Sequence, residues 1–217
     1  GGFYMKQLNW ATLGCGVIAN ELAQALSKEG RTLYSVANRT YEKAQAFAQK
    51  YGISKVYDNI DDVFYDPDVD IIYISTPHNT HINYLRKALS NGKHVLCEKS
   101  ITLNISELDE AISLAKANNV ILAEAMTIYH MPVYKKLNEI ISSGQLGRLN
   151  LIQVNFGSYK DYNMTNRFFS RKLAGGALTL VYTHFLSSAG FSRKRHRMFC
   201  HRLDMLRPVL MNRQVFC

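Results

Sequence analysis

The stretch Trp10-Ala11-Thr12-Leu13-Gly14-Cys15-Gly16-Val17-Ile18-Ala19 decides the fold. It passes from a short apolar run, through two glycines spaced by one residue, into a segment with helical period, IANELAQALSKEG. A strand that turns through Gly-x-Gly directly into a helix is the opening of a βαβ unit. Gly14 permits a tight turn, Gly16 permits close approach to the backbone, and small Ala19 lets the helix lie close to the sheet.

The rest of the first 125 residues repeats that rhythm. TLYSVAN, DIIYISTP, KHVLCEKS and VILAEA have the composition of buried strands. Between them YEKAQAFAQKYG, NTHINYLRKALSNG and ISELDEAISLAKANN have helical period, the first closed by Gly52 and the second by Gly92. Strands alternating with helices imply parallel pairing through right-handed crossovers, and hence an α/β doubly wound sheet of the Rossmann type over residues 1–125. After Ala125 the pattern changes to a helix, PVYKKLNEIISSGQLG, and an alternating strand, RLNLIQVNFGSY. Residues 126–190 are expected to begin an α+β second domain that stays incomplete, and residues 191–217 to form a basic, non-native tail.

Composition excludes several classes. The 217 residues carry a net charge of +9, but the last 27 hold 7 of the 26 Lys and Arg and only one of the 17 Asp and Glu. The basic excess therefore belongs to the tail, and nucleic acid is not an expected partner of the main body. The four cysteines lack metal-ligand spacing, so no metal is expected. No apolar run approaches the roughly 18 residues of a membrane span, and the first residues lack the layout of a secretion signal. The expected compartment is cytoplasmic.

The first βα turn has the context of a dinucleotide fingerprint, with Gly14, Gly16, Val17, Ile18 and Ala19 around a pyrophosphate held on the helix N-terminus. The alternative is a glycine-rich turn kept for packing. At the end of the second strand, Asn38 and Arg39 stand where an NAD-selective site would place a carboxylate. Arg39 either pairs with a 2′-phosphate, favouring NADP with NAD possible, or is a solvated arginine on a surface turn.

Two further strand ends carry polar side chains: Ser75-Thr76-Pro77-His78-Asn79-Thr80-His81 and Cys97-Glu98-Lys99-Ser100. With the fingerprint GCGVIA these runs, in this order and spacing, resemble the glucose–fructose oxidoreductase/inositol dehydrogenase family over residues 6–178. The resemblance implies an NAD(P)-dependent oxidoreductase acting on a sugar, cyclitol or dihydrodiol. It implies that Ser75, Thr76, Pro77, Asn79 and His81 border the nicotinamide ribose and diphosphate, and that Glu98 and Glu124 lie beside the cofactor. It implies that Lys99, near the nicotinamide, is the catalytic group on the reacting oxygen. From the residues alone, Asn79 is equally a helix cap and Lys99 equally a structural partner of Glu98. Tyr129, His130 and Arg167 match substrate-pocket regions, with His130 equally a plain surface or core histidine. The family normally has proline after the lysine, often with a cis bond; Ser100 stands here, and without proline a cis bond is not expected. The resemblance also implies a homo-oligomer built through the second domain, whose sheet this chain is expected to lack in large part.

Gly175-Gly176-Ala177-Leu178 match a turn of the family, which continues Asp-Ile-Gly-Val and then Tyr or His. Thr179 to Phe185 read TLVYTHF instead. The codons of those seven residues, read one base earlier, permit Asp-Ile-Gly-Val-Tyr-Ala-Leu, so a frame shift after about residue 178 is expected, with weak or absent turnover. Two readings from other classes stand beside the enzyme: a non-catalytic dinucleotide-binding sensor or scaffold, and a nucleic-acid binder acting through RKRHR in the tail.

Overall fold

The structure is a computed structural model and describes residues 7–148. Two compact units divide the chain at Ala125 and Met126. The expectations for the strand RLNLIQVNFGSY, for Arg167, for the frame change after residue 178 and for the basic tail lie outside the described residues.

In the first unit six parallel strands form one sheet: β1 (Trp10–Leu13), β2 (Ser35–Ala37), β3 (Lys55–Val56), β4 (Ile71–Ile74), β5 (His94–Cys97) and β6 (Leu122–Glu124). Their spatial order is β3-β2-β1-β4-β5-β6. The chain winds outward from β1 in one direction, then returns to its other side and winds outward again. Strand order therefore reverses between β1 and β4, which pair from Trp10↔Ile71 to Leu13↔Ile74. That is where a doubly wound sheet opens its ligand crevice.

Among the described residues the helices are α1 (Val17–Lys28), α2 (Tyr41–Tyr51), α3 (Asp62–Tyr65), α4 (His81–Ser90), α5 (Ile105–Ala117) and, in the second unit, α6 (Pro132–Ser142). Successive strand residues face opposite sides of the sheet, so each central strand feeds two cores. Ile72, Ile74 and Val95 pack with Leu85 and Leu89 of α4 and with Ala111 and Ala115 of α5. Val36 packs on the other side with Ala19 and Ala23 of α1 and Phe47 and Ala48 of α2. Each fully buried leucine contributes about 2–3 kcal/mol of burial. Small Ala19 and Ala23 are the contact points that bring α1 close to the sheet.

Local chemistry explains the boundaries. Asn104 caps α5 by accepting from Glu107 N at 2.9 Å, and Glu107 accepts in turn from Leu103 N, one residue before the cap, at 3.0 Å, a variant of the capping box. Pro132 opens α6, where its missing N–H costs nothing. α4 starts later than its sequence period implies. After Pro77 the chain first makes a 3-10 turn, His78–Thr80, in which Thr80 N and Oγ1 both donate to Pro77 O. Asn79 makes no cap: Thr80 occupies that position, and among the described residues no side chain bonds there. The expected capping role of Asn79 is thus corrected.

At the amino ends of the strands a buried polar cluster closes the sheet. Asp66 accepts from Tyr57 Oη at 2.5 Å and Asp68 N at 2.9 Å, and pairs with Lys55 Nζ at 2.6 Å. Lys93 Nζ donates to the backbone oxygens of Asp66 and Val69. Each polar group is matched, which is the condition for burying them.

Candidate functional site

Four backbone hydrogen bonds set the chemistry-bearing loops side by side at the carboxyl ends of the strands. Gly14 N donates to Ala37 O at 2.9 Å, and Ser75 N to Leu13 O at 3.0 Å. Glu98 N donates to Ile74 O at 2.9 Å, and Ala125 N to Cys97 O at 2.8 Å. The ladder runs one residue past each strand, so Gly14, Ser75, Glu98 and Ala125 form one row. Segments far apart in sequence become neighbours because parallel strands all end on the same side.

The fingerprint fits a pyrophosphate. Gly14 has φ +110, and a Cβ there would meet Ser75 Oγ at 2.8 Å and Ser75 O at 3.1 Å. Gly16 differs: it is the N-cap of α1 with an ordinary φ of −75, and a Cβ there would meet nothing within 4 Å among the described residues. Among the described residues no side chain caps α1, and no acid lies in its first turn. Donor N–H groups, the positive end of the helix dipole and open space therefore coincide at one point. Val17 is exposed, Ile18 half-buried and Ala19 fully buried beneath them. An open groove of about 630 Å³ runs along α1 from Cys15 and Gly16 past Asn20 to Gln24 and Lys50.

Asn20 and Tyr73 are site residues that the sequence motifs do not reveal. Asn20 Nδ2 donates to Gly16 O at 2.9 Å, while its Oδ1 accepts from Tyr51 Oη at 2.7 Å and Lys50 Nζ at 2.9 Å. This amide ties the fingerprint turn to α2. Tyr73 Oη donates to Glu98 Oε1 at 2.5 Å. Burial, the bond to Glu98 and that carboxylate's charge push the Tyr73 phenol well above its ordinary value. It thus stays a donor and orients Glu98. The only sequence signal for either is a polar side chain one or two residues from a motif.

At the end of β2, Asn38 Nδ2 donates to Thr40 O at 2.9 Å and so shapes the turn into α2. Arg39 is exposed on that turn. Lys43, one turn into α2, acts electrostatically on Cys15. Burial pushes the Cys15 thiol up to about 11, with Lys43 pulling the other way. Burial and the Glu98 and Glu124 carboxylates push the Cys97 thiol well up. Both thiols stay protonated near neutral pH and are poor nucleophiles.

Beyond β4, Ser75 Oγ donates to Leu13 O at 3.2 Å, and the Thr76 and Thr80 hydroxyls lie 2.8 Å apart. Pro77 and Asn79 are exposed. His81 is fully buried, with Nε2 2.9 Å from Thr76 O and Nδ1 2.9 Å from Ser100 O. Burial draws its imidazole below the ordinary histidine range, opposed by those carbonyls and by Glu98. Beyond β5, Lys99 is half-buried. The Lys99–Ser100 peptide is cis, against the expectation from the missing proline, and Ser100 O is the carbonyl that His81 engages. Beyond β6, Glu124 Oε1 accepts from Ile101 N at 3.0 Å, tying its strand end to the Lys99 loop.

Tyr129 and His130 belong to the second unit, in a 3-10 turn, Thr127–His130. Both are exposed, and Tyr129 meets Tyr134 edge-on with ring centroids 5.2 Å apart.

The chain is similar to known proteins. Residues 8–126, more than half of the chain, match the family described as oxidoreductases with an NAD-binding Rossmann fold. The trans-1,2-dihydrobenzene-1,2-diol dehydrogenase of Xenopus tropicalis is 33% identical over 172 residues, covering 78% of this chain and 52% of that protein. The human enzyme of the same name is 32% identical over 174 residues, covering 79% and 52%. The chain thus spans about half the length of these curated relatives. An NAD-binding oxidoreductase from Klebsiella pneumoniae superposes with a TM-score of 0.72 at 27% identity, covering 85% of this chain and 53% of that one. A 3-ketoreductase from Actinomadura kijaniata, solved with NADP, gives 0.60 at 26% identity, covering 65% and 46%. Among the described residues no helix is long and apolar enough to cross a membrane.

Proposed function

The chain belongs to this oxidoreductase family with the NAD-binding Rossmann fold, and on that premise we propose that it transfers hydride between a nicotinamide dinucleotide, NADP in preference to NAD, and a CH–OH or C=O group of a sugar, cyclitol or dihydrodiol. The observation that carries this reading is the row at the strand ends. It sets an uncapped helix N-terminus with open space at Gly16 beside the loops that bear Ser75 and Glu98-Lys99.

Each part of the row has a task. The N–H groups at Gly16, Val17 and Ile18 receive the diphosphate, and Asn20 holds the Gly16 carbonyl turned away from it. Asn38 and Arg39 take the adenosine ribose. With no carboxylate at that turn to claim a 2′-hydroxyl, Arg39 is free to pair with a 2′-phosphate, helped by Lys43. The NADP held by the similar 3-ketoreductase supports this choice. Thr76, Pro77 and Asn79 border the nicotinamide half, with Glu98 aimed by Tyr73 and Glu124 holding the neighbouring loop. The nicotinamide, when bound, accepts or supplies the hydride. Lys99 supplies an ammonium to the substrate oxygen, polarising C=O in reduction and stabilising the developing alkoxide in oxidation. Tyr129, His130 and Arg167 are proposed to contact the substrate.

The names of the curated relatives point to a vicinal diol or its ketone as the substrate class. The test is to incubate the purified chain with NADP and a panel of cyclic diols, cyclitols and sugars, following the reduced-nicotinamide absorbance band. Substrate-dependent reduction that Lys99→Met removes supports the proposal. Cofactor binding without reduction on any substrate, in a chain whose coding DNA cannot encode Asp-Ile-Gly in the neighbouring frame, would favour a sensor or scaffold. The expected weak turnover follows from the departure at residues 179–185. It is checked by sequencing the coding DNA, where bases unable to encode Asp-Ile-Gly in the neighbouring frame would overturn it.

A further inference from the structure

His81 stands at the first position of α4 with none of its surface exposed. Its two ring nitrogens face two different loops: Nε2 lies 2.9 Å from Thr76 O, beyond β4, and Nδ1 lies 2.9 Å from Ser100 O, beyond β5. The neutral ring donates its one N–H to one carbonyl and rests its other nitrogen against the second. A ring buried on all sides, with both nitrogens on backbone carbonyls, has no edge left for a ligand. The family resemblance set His81 among the cofactor contacts, and the geometry points elsewhere.

We propose that His81 is a positioning residue, a strut that fixes the spacing between the Thr76 loop and the Lys99-Ser100 loop. It would thereby set the nicotinamide end of the site. This rests on the dinucleotide reading above. Ser100 O is the carbonyl one residue beyond Lys99, so holding it fixes the direction in which the main chain leaves Lys99. Thr76 O is the carbonyl one residue beyond Ser75, whose N–H is already tied to Leu13 O at 3.0 Å. The chain of contacts therefore runs from β1, through Ser75 and Thr76, through the imidazole, to the lysine loop. Two features brace the ring from the side. His78 meets it edge-on with centroids 5.6 Å apart, and the Thr76 and Thr80 hydroxyls join the turn that precedes it. The diphosphate end, at Gly14 and Gly16, makes none of these contacts. Losing the strut should therefore loosen one half of the dinucleotide site and spare the other.

Amide side chains separate the two ties. Asparagine carries its N–H₂ near the position of Nδ1 and can donate to Ser100 O, whereas glutamine reaches the position of Nε2 and can donate to Thr76 O. The experiment uses calorimetric titration of the whole chain and of His81→Ala, His81→Asn and His81→Gln with two ligands. One is NADPH; the other is adenosine 2′,5′-bisphosphate, which lacks the nicotinamide half. In His81→Ala, NADPH affinity should fall about tenfold or more while bisphosphate affinity stays within about threefold. His81→Asn should recover more of the NADPH affinity than His81→Gln, because Ser100 adjoins Lys99. Parallel losses for both ligands would mean that the ring is only packing, and unchanged NADPH affinity would mean that the strut sets nothing; either result overturns the proposal. Should His81→Ala fail to fold, the two amide variants carry the test, and NADPH affinities equal to each other overturn it. A wild-type chain that binds neither ligand refutes the dinucleotide reading itself, a result distinct from any difference among the variants.

Discussion

Alanine at Gly14 and alanine at Gly16 should fail in different ways, although the two glycines belong to one fingerprint. At Gly14 the backbone has φ +110, and the added Cβ would lie 2.8 Å from Ser75 Oγ and 3.1 and 3.2 Å from the Ser75 backbone oxygen and carbon. The hydroxyl can rotate away, but the carbonyl belongs to the row that joins β1 to β4. An L-residue held in such a conformation costs about 1–3 kcal/mol. Forcing a methyl into a filled space costs about 1–3 kcal/mol more. Some of this relaxes, so Gly14→Ala should lose about 2–4 kcal/mol, a large share of the 5–15 kcal/mol typical of a domain. At Gly16 the φ of −75 suits alanine and no atom of the described residues lies within 4 Å of the new Cβ. Stability there should change by less than about 1 kcal/mol, the scale of an N-cap substitution. The methyl would stand instead in the approach to the α1 donors, lowering NADPH affinity about tenfold or more, which is 1.4 kcal/mol per tenfold. Urea denaturation and NADPH fluorescence on the same preparations separate the two effects. Equal destabilisation at both positions, or a Gly16→Ala protein that binds NADPH as tightly as wild type, would refute the assignment of open space at Gly16 to a phosphate.

Other perturbations probe other parts of the frame. Tyr73→Phe removes the donor 2.5 Å from Glu98 and should cost about 1 kcal/mol in urea denaturation, while a stability gain would contradict the orienting role. Asp66 governs an acid-dependent term. Burial pushes its carboxyl up, but Lys55, the Tyr57 hydroxyl and Asp68 N–H outweigh burial and hold it below its ordinary value. A carboxyl with a lowered native pKa stabilises above the ordinary carboxylate range, and that contribution is lost as pH falls through the lowered value. Asp66→Asn should therefore be less stable than wild type by about 1–3 kcal/mol near neutral pH, the gap closing below about pH 4. A gap independent of pH would contradict the ion-paired carboxylate. Arg39→Ala should weaken NADPH about tenfold and leave NADH within about twofold, as loss of a charge-assisted bond requires; equal effects on both cofactors would make Arg39 a solvated side chain.

The alternation of apolar runs and helical segments made the doubly wound sheet legible, because the central strands β1, β2 and β4 are buried on both faces and each helix on one. β3 escaped that pattern: two residues, Lys55 and Val56, at the sheet edge are too few to show a period. The 3-10 turn at His78–Thr80 escaped because its hydrogen bonds to Pro77 substitute for the α-helical turn that the spacing implied. The motifs were legible as strand ends, but their adjacency depends on strand order, which spacing alone does not give. Tyr73 and Glu98 are 25 residues apart and meet only because β4 and β5 are paired neighbours. His81 shows the opposite limit. A histidine beside a motif looks the same in sequence whether it faces a ligand or lies buried between two carbonyls.

The most direct measurement is a fluorescence titration of the purified chain with NADPH and, separately, with NADH. Saturable enhancement with NADPH, about tenfold tighter than with NADH, is the predicted result. No saturable change with either cofactor would contradict the claim that Gly14, Gly16 and the strand-end row form a dinucleotide site.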